Sequence, residues 1–474
     1  MKSFKLLVSG GALAMVIAGA GLAQQAAPRS QAMPRPAPQA GLKPQRDPIT
    51  AVPSLLPRTQ AVLDGYVRDN KMPGIVGAFG VADMPTIFLS AGKIADDAGA
   101  ARAGPDSLWR VYSMTKPITG MAAMMLVEDG KIKLDDPVSK FIPAFKNMTV
   151  VDGPDSLKSH PAARPITIRM LLTHSSGLGY NIITKGALLG EYNRLGINPA
   201  QVNNQFEAEA RKVRPATLEA FANAVASVPL VYEPGTKWSY SIGLDVMGRV
   251  IEVASGMSFD GFVQARIFNP LGMKSSYWTV PQSEIPRFAT NYAFTKASMA
   301  QINPAFDTSK MDAKARMPLD AAATSVWLKP PSFPYGGAGL VMSARDYDTF
   351  LHMLQNYGEL NGRRVMKEET AKLAMSNLLP AGVTFSGTVA STGGNTAGPK
   401  MGFGAGGSVY LEDFPGGAGK GTYGWGGAAG TVAFVDPGRR ARGTIMVNYF
   451  PGETYPLRAE VLPALLADLS LHRQ

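Results

Sequence analysis

The chain has no cysteine and only four histidines among its 474 residues. The absence of cysteine excludes disulfide bonds, thiolate metal sites and a cysteine nucleophile. The histidines are His160, His174, His352 and His472. No two of them have the H-x-x-x-H spacing of a zinc-binding helix. We therefore predict a protein that uses no metal ion or other cofactor.

Acidic residues are also in short supply, and the net charge is +11. Much of this excess lies near the N-terminus: residues 1–58 contain seven Lys or Arg and one Asp, a net charge of +6, which leaves +5 for the rest. A nucleic-acid-binding domain needs basic residues clustered on one folded face. Because the remaining chain is only mildly basic, we expect no nucleic-acid partner.

The N-terminus has the three parts of a secretory signal peptide. Lys2 and Lys5 form the positive part, residues 6–22 form the apolar part, and Gly21-Leu22-Ala23 supplies the small residues of a cleavage site. We predict cleavage after Ala23, which gives a periplasmic or secreted protein with no stable membrane insertion. The alternative is an uncleaved anchor, since the apolar part is just long enough to span a bilayer.

Residues 24–53 contain seven prolines and little apolar surface. A segment of this composition cannot form a packed core. We predict a disordered, Pro-rich linker here and a folded domain over residues 54–470.

Hydrophobic periodicity outlines this domain. The predicted elements are helices at 54–70, 117–128 and 457–469, and strands at 75–79, 87–89, 403–411, 430–435 and 443–448. The middle of the chain, roughly residues 131–335, combines helical patterns with Pro-rich loops. This arrangement indicates an α/β (α+β) fold in which a mostly helical domain is inserted.

The candidate chemistry begins with Ser113 and Lys116, at the start of the predicted apolar helix. Residues i and i+3 share one helical face, so the lysine amine can reach the serine hydroxyl. A serine needs a base to become a good nucleophile, and burial favours the neutral amine that can serve as one. The same spacing also occurs as an ordinary helix cap followed by an exposed lysine. The spacing alone leaves both interpretations open.

Further motifs in the same order resemble the serine β-lactamase/penicillin-binding superfamily. They are Ser113-Met114-Thr115-Lys116, Leu134-Asp135-Asp136-Pro137-Val138, Leu171-Leu172-Thr173-His174-Ser175-Ser176-Gly177-Leu178 and Tyr335-Gly336-Gly337-Ala338-Gly339-Leu340. The class C-like branch, with its family VIII carboxylesterases and transacylases, is the most similar. The resemblance implies a β-lactamase/transpeptidase-like antiparallel sheet flanked by terminal helices. It also implies that Ser113 is the nucleophile and Lys116 its base.

The resemblance assigns a third catalytic residue, Tyr240, which follows Glu233-Pro234-Gly235-Thr236. It matches the family tyrosine whose phenol moves the proton between nucleophile and leaving group. Two positions later the family has an asparagine that contacts the amide side chain of a β-lactam, and this chain has Ile242. An apolar residue at this substrate-binding position favours esters.

The family's Lys-Thr-Gly element corresponds to Trp425-Gly426-Gly427 in this chain. Tryptophan removes the cation that would bind a β-lactam carboxylate, and it provides an aromatic wall for apolar groups. The two glycines let the backbone approach the substrate closely. By resemblance, the N–H groups of Ser113 and Ala428 form the oxyanion hole. The alternative for this segment is an ordinary hairpin turn.

His174 lies beside two serines, but adjacent residues do not form a productive Ser–His pair, and the chain has no G-x-S-x-G motif. We predict a structural role for His174.

Three functions remain open at this point. The first is an exported serine hydrolase that cleaves carboxylic esters, or transfers their acyl groups, with a small-molecule ester or acyl substrate. The second is a β-lactamase or D-Ala-D-Ala peptidase acting on cell-wall amides, against which Ile242 and Trp425 argue. The third is a non-catalytic penicillin-binding sensor that is only acylated. We expect the first.

Overall fold

A computed structural model describes residues 55–302, 307–385, 400–415 and 417–471. The predicted signal peptide at residues 1–23 and the predicted linker at residues 24–53 lie outside the described residues. Among the described helices, none is both long enough and apolar enough to cross a membrane.

A seven-stranded antiparallel sheet forms the centre of the fold, and four small sheets surround it. The strands are β1 (Gly74–Val81), β2 (Ile87–Gly92), β3 (Leu108–Arg110), β4 (Thr149–Val151), β5 (Ser159–Pro161), β6 (Ser276–Tyr277), β7 (Asn291–Phe294), β8 (Arg316–Asp320), β9 (Val341–Ser343), β10 (Glu359–Leu360), β11 (Arg363–Arg364), β12 (Met401–Phe403), β13 (Ser408–Tyr410), β14 (Tyr423–Gly426), β15 (Val432–Asp436), β16 (Ala441–Met446) and β17 (Tyr449–Phe450). The order in the central sheet is β12-β13-β14-β15-β16-β1-β2. The first and last parts of the folded chain therefore meet in its middle.

Helices cover both faces of this sheet and fill the middle of the chain. They are α1 (Pro57–Arg68), α2 (Thr115–Glu128), α3 (Ile168–Leu172), α4 (Gly186–Arg194), α5 (Asn204–Ala210), α6 (Leu218–Ala226), α7 (Gly243–Ser255), α8 (Phe259–Val263), α9 (Asn269–Leu271), α10 (Thr295–Ile302), α11 (Ala344–Gln355), α12 (Glu368–Ala374) and α13 (Leu457–Leu471). The terminal helices α1 and α13 pack together and share a core with β1, while α11 packs against β1, β15 and β16.

Helix α2 is buried over nearly its whole length, which matches its apolar sequence. Its residues from Pro117 to Val127 carry no charge, so no face of this stretch needs water. Lys116, the one cation of the helix, is fully buried in its first turn. A lysine held there needs polar partners, because burying an unpaired charge is costly.

The β-lactamase/transpeptidase-like fold expected from the sequence is confirmed, with antiparallel sheets and terminal helices. One predicted strand is wrong. Residues 403–411 form the end of β12, a turn and β13, because the Gly404 N–H donates to the Gly407 carbonyl at 2.7 Å and Gly406 has φ +79°. The middle of the chain also contains strands β4 to β8, so it is less purely helical than its pattern indicates.

Candidate active site

Ser113 lies in a tight turn between β3 and α2. The preceding residue, Tyr112, has φ +43°, a strained conformation for a bulky side chain. Its ring packs edge-on against Trp327 and Phe450, with centroids 5.6 and 5.3 Å away. These contacts hold a sharp change of direction, which brings Ser113 to the N-terminal end of α2.

Lys116 connects Ser113 to a distant part of the chain. Its Nζ donates to Ser113 Oγ at 3.2 Å and to the Gly337 carbonyl at 2.7 Å. The same Nζ lies 4.6 Å from the centre of the Tyr240 ring. The i, i+3 spacing thus brings the amine to the hydroxyl, and the motif around Gly337 supplies the second acceptor.

Tyr240 approaches Ser113 from the opposite direction, just before α7. Its hydroxyl donates to Ser113 Oγ at 2.7 Å, and Trp425 Nε1 donates to the Tyr240 hydroxyl at 3.4 Å. Either hydroxyl of the serine–tyrosine pair can give up the proton. Ser113, Lys116 and Tyr240 therefore form one connected group, with Trp425 beside it.

His174 packs behind Tyr240, with the ring centroids 4.7 Å apart. Its Nδ1 accepts the Ser241 N–H at 3.1 Å and lies 3.0 Å from Ser241 Oγ. Burial lowers the pKa of His174 well below its ordinary value, and the charge of Lys116 lowers the pKa further. The imidazole is therefore neutral at physiological pH and supports the Tyr240 ring.

The turn after β14 holds the second expected oxyanion donor, Ala428. This turn is closed by the Gly427 N–H, which donates to the Thr431 carbonyl at 2.8 Å. A Cβ on Gly427 would lie 2.3 Å from the Val111 carbonyl oxygen. Only glycine allows so close an approach. The turn thus lies directly against the chain leading to Ser113, and Ala428 lines the same cavity as Ser113.

Ile242 does not take the position expected for it. Its side chain is fully buried in the main hydrophobic core and is not part of the wall of the cavity at Ser113. The reason is that Ile242 directly precedes α7, whose apolar face packs against α2 and α3. Its expected contact with substrate has no counterpart in this geometry.

Asp245 is a buried acid that the sequence analysis did not single out. Its Oδ1 accepts the Gly337 N–H at 2.8 Å, so it fixes the loop whose carbonyl accepts from Lys116. Burial raises the pKa of Asp245 to about 7, although the charge of Lys116 and the hydrogen bond from Gly337 oppose this rise. An acid between the apolar residues Leu244 and Val246, in the first turn of α7, was the signal available for finding it.

The site opens into a cavity of about 1200 Å³, lined by Ser113, Tyr240, Trp425, Gly426 and Gly427 among others. Within the described ranges, no group of three or more His, Asp or Glu side chains is arranged to hold a metal ion. The chemistry that this arrangement supports is attack by an activated serine on an acyl carbon.

Comparisons with known proteins bear on the family and the fold of this chain. Residues 59–467 match the family model described as Beta-lactamase. Esterase EstB of Burkholderia gladioli is 30% identical over 424 residues, which cover 87% of this chain and 96% of that protein. Lovastatin esterase of Penicillium rubens is 29% identical over 350 residues, covering 70% of this chain and 77% of the relative. The solved structure of EstCE1, "a hydrolase with promiscuous acyltransferase activity", shares the fold with a TM-score of 0.67 at 24% identity, covering 87% and 98% of the two chains.

The close approach of Gly427 to Val111 generates a prediction for turnover. In Gly427→Ala the new methyl group must push the turn away from Ser113, and misplacing an oxyanion donor costs about a hundredfold or more in kcat. We expect that loss with KM changed only a few-fold. Gly438→Ala is the matched control, because a Cβ there meets its nearest neighbour at an ordinary 3.6 Å. Full kcat in Gly427→Ala would contradict the assigned role of the turn.

The raised pKa of Asp245 generates a prediction for stability. Its ordinary value is 3.8 and its folded value is about 7, so the folded state binds the extra proton between them. The free energy of unfolding therefore falls from about pH 4 to pH 7 on account of this group. We expect Asp245→Asn to gain about 4 kcal/mol relative to wild type across that window and no more above it. Urea unfolding at several pH values tests this, with the exposed Asp69→Asn as control; a pH-independent difference would refute it.

Proposed function

The chain belongs to the beta-lactamase family and is a serine hydrolase, and from this premise we propose that it cleaves carboxylic esters through an acyl-enzyme on Ser113. One observation carries the proposal: the Ser113 hydroxyl lies 2.7 Å from the Tyr240 hydroxyl and 3.2 Å from Lys116 Nζ. Both distances are within reach for proton transfer.

In the proposed reaction, Ser113 Oγ attacks the ester carbonyl carbon while its proton passes to the Tyr240–Lys116 pair. The tetrahedral anion accepts hydrogen bonds from the N–H groups of Ser113 and Ala428. Collapse of this anion breaks the C–O bond of the ester, and the alkoxide leaves with the proton held by the pair. Water then attacks the acyl-enzyme by the same steps and releases the carboxylic acid. Atoms and protons balance without a cofactor.

Trp425 favours esters over β-lactams. Its indole N–H reaches the Tyr240 hydroxyl, and its ring lies 5.7 Å from the Tyr240 ring and 5.2 Å from Phe403. The wall beside the nucleophile is therefore aromatic, at a position where the family's lysine would bind a carboxylate. Relatives named as esterases support the same substrate class. Ile242 does not bear on the substrate class, because its side chain lies in the core.

We further propose that the protein is exported. The support is the N-terminal sequence alone: two lysines, an apolar stretch and small residues at 21–23, followed by a Pro-rich segment. The protein would then act in the periplasm or outside the cell.

Export is tested by the N-terminus of the protein recovered from its native host. Mass spectrometry should find a chain that begins with Gln24, in the periplasmic or culture fraction. A chain that retains residues 1–23 would contradict cleavage, and recovery in the cytoplasmic fraction would contradict export.

The ester activity is tested with p-nitrophenyl acetate and four variants. We expect Ser113→Ala to lose activity by about a thousandfold or more, and Lys116→Met and Tyr240→Phe by about a hundredfold or more. Ser227→Ala, which changes an exposed serine that caps the C-terminal end of α6 and does not line the cavity, should behave as wild type. Equal rates in wild type and Ser113→Ala would refute the nucleophile.

The two other candidate functions have distinct outcomes in the same experiment. Faster turnover of nitrocefin than of esters would favour action on cell-wall amides. A wild type that turns over neither substrate but is labelled by fluorescent penicillin would favour a sensor.

A further inference from the structure

The cavity at Ser113 continues beyond the reacting groups. The residues that line it include Ser113 and Trp425 as well as Leu462, Leu466 and Leu469 of α13. Helix α13 lies near the C-terminus and belongs to the layer that covers the central sheet. The nucleophile therefore opens into a space that reaches under a terminal helix.

Two glycines of β14, Gly424 and Gly426, line this cavity together with Arg458 of α13. Strand β14 pairs with β13 only at Tyr423 and Gly424, so β13 does not cover the edge of β14 beyond Gly424. On the other side, Gly424 and Gly426 pair with Phe434 and Val432 of β15. Paired residues face the same side of a sheet. β14 therefore places no side chain on the face that carries Val432 and Phe434.

Helix α13 is held near both ends, and the groove lies between these attachments. Arg458 Nη2 donates to the carbonyls of Thr431 and Gly427 at 2.7 and 3.0 Å. Asp468 accepts the N–H and the hydroxyl of Thr59 in α1, both at 2.8 Å. Ten residues of helix separate the two attachments, which is about 15 Å at 1.5 Å per residue. The groove beneath α13 is therefore a fixed feature of the fold.

The wall of this groove is mainly apolar, although Arg442, Glu453 and Arg458 also line the cavity. Its apolar part is not fully covered. Val432, Phe434 and Leu466 are only half-buried, although their apolar atoms would be more stable out of water. At the mouth, the side chains of Leu55 and Met84 are 56% and 57% exposed. Contiguous apolar surface of this kind marks a site where an apolar partner binds.

We propose that the groove beneath α13 binds the aliphatic acyl chain of the ester substrate, so that the enzyme prefers medium- and long-chain acyl esters. This inference rests on the proposed function, since it needs an acyl group attached to Ser113. The acyl carbon bonds to Ser113 Oγ, and the attached chain turns into the groove alongside the Arg458 guanidinium, which occupies the space next to Gly426. The apolar wall then excludes water from each methylene that enters.

The test is a chain-length series of p-nitrophenyl esters, from acetate through butyrate and octanoate to dodecanoate, each below its critical micelle concentration. We expect kcat/KM of the wild type to rise about fourfold for each methylene that enters the groove, because a buried methylene favours binding by about that factor. The rise should stop when the chain fills the groove. A flat or falling series would overturn the proposal.

A variant that fills the groove gives a second arm. Leu466→Trp should lower the ratio of kcat/KM for dodecanoate to kcat/KM for acetate at least tenfold. Leu373→Trp is the control, because Leu373 is an exposed leucine of α12 that does not line the cavity. Equal losses on both esters, or no loss, would contradict the assignment.

A third arm needs no variant and remains decisive if Leu466→Trp does not fold. Linear alkylboronic acids from butyl to dodecyl should inhibit the wild type more strongly as the chain lengthens. An inhibition constant that does not depend on chain length would contradict the proposal that the groove binds the acyl chain.

These outcomes separate the two proposals. If acetate hydrolysis depends on Ser113 but the enzyme shows no chain-length preference, the proposed acyl-chain groove is refuted and the proposed esterase function stands. Acetate hydrolysis that survives in Ser113→Ala removes the proposed function itself.

Discussion

The arrangement of the site depends on the position of the Lys116 amine. This amine is buried and donates both to Ser113 Oγ and to the Gly337 carbonyl. The first bond exists because the two residues share a helical face in the first turn of α2. The second exists because a loop more than two hundred residues later closes over that turn. Burying the amine is tolerable only with such partners.

The partners of Lys116 are themselves held by the fold. Asp245 accepts the Gly337 N–H, so the start of α7 fixes the loop that accepts from Lys116. The same segment carries Tyr240, whose hydroxyl completes the group around Ser113. This one segment thus provides Tyr240, which is the third reacting side chain, and Asp245, which supports the loop that accepts from Lys116. A substitution of Asp245 therefore alters the surroundings of the base, Lys116, even though Asp245 does not contact the substrate.

The reacting side chains were predictable because their chemistry is local or tied to short motifs. Ser113 and Lys116 are three residues apart, and Tyr240 follows a recognisable turn. Asp245 was not predictable as part of the site, because its role depends on a hydrogen bond across 92 positions. Ile242 was wrongly expected to contact the substrate. A motif gives the position of a residue along the chain, but the packing of α7 decides where the side chain of Ile242 points.

The same distinction applies to the fold. Apolar periodicity located α2 and the terminal helices to within a few residues. It missed the turn between β12 and β13, because the apolar residues on both sides look continuous and only the glycine backbone between them reverses the chain. The groove beneath α13 could not be predicted from the sequence, because it is formed jointly by glycines of β14, apolar residues of β15 and a helix near the C-terminus.

The central claim is that, among the serines of the described residues, Ser113 is the one made nucleophilic by its surroundings. The most direct measurement is covalent labelling of the folded protein with a fluorophosphonate, followed by peptide mapping by mass spectrometry. Ser113 should carry a single stoichiometric adduct, and the same peptide should remain unlabelled in protein unfolded with urea. An adduct on another residue, or labelling that survives unfolding, would contradict the account.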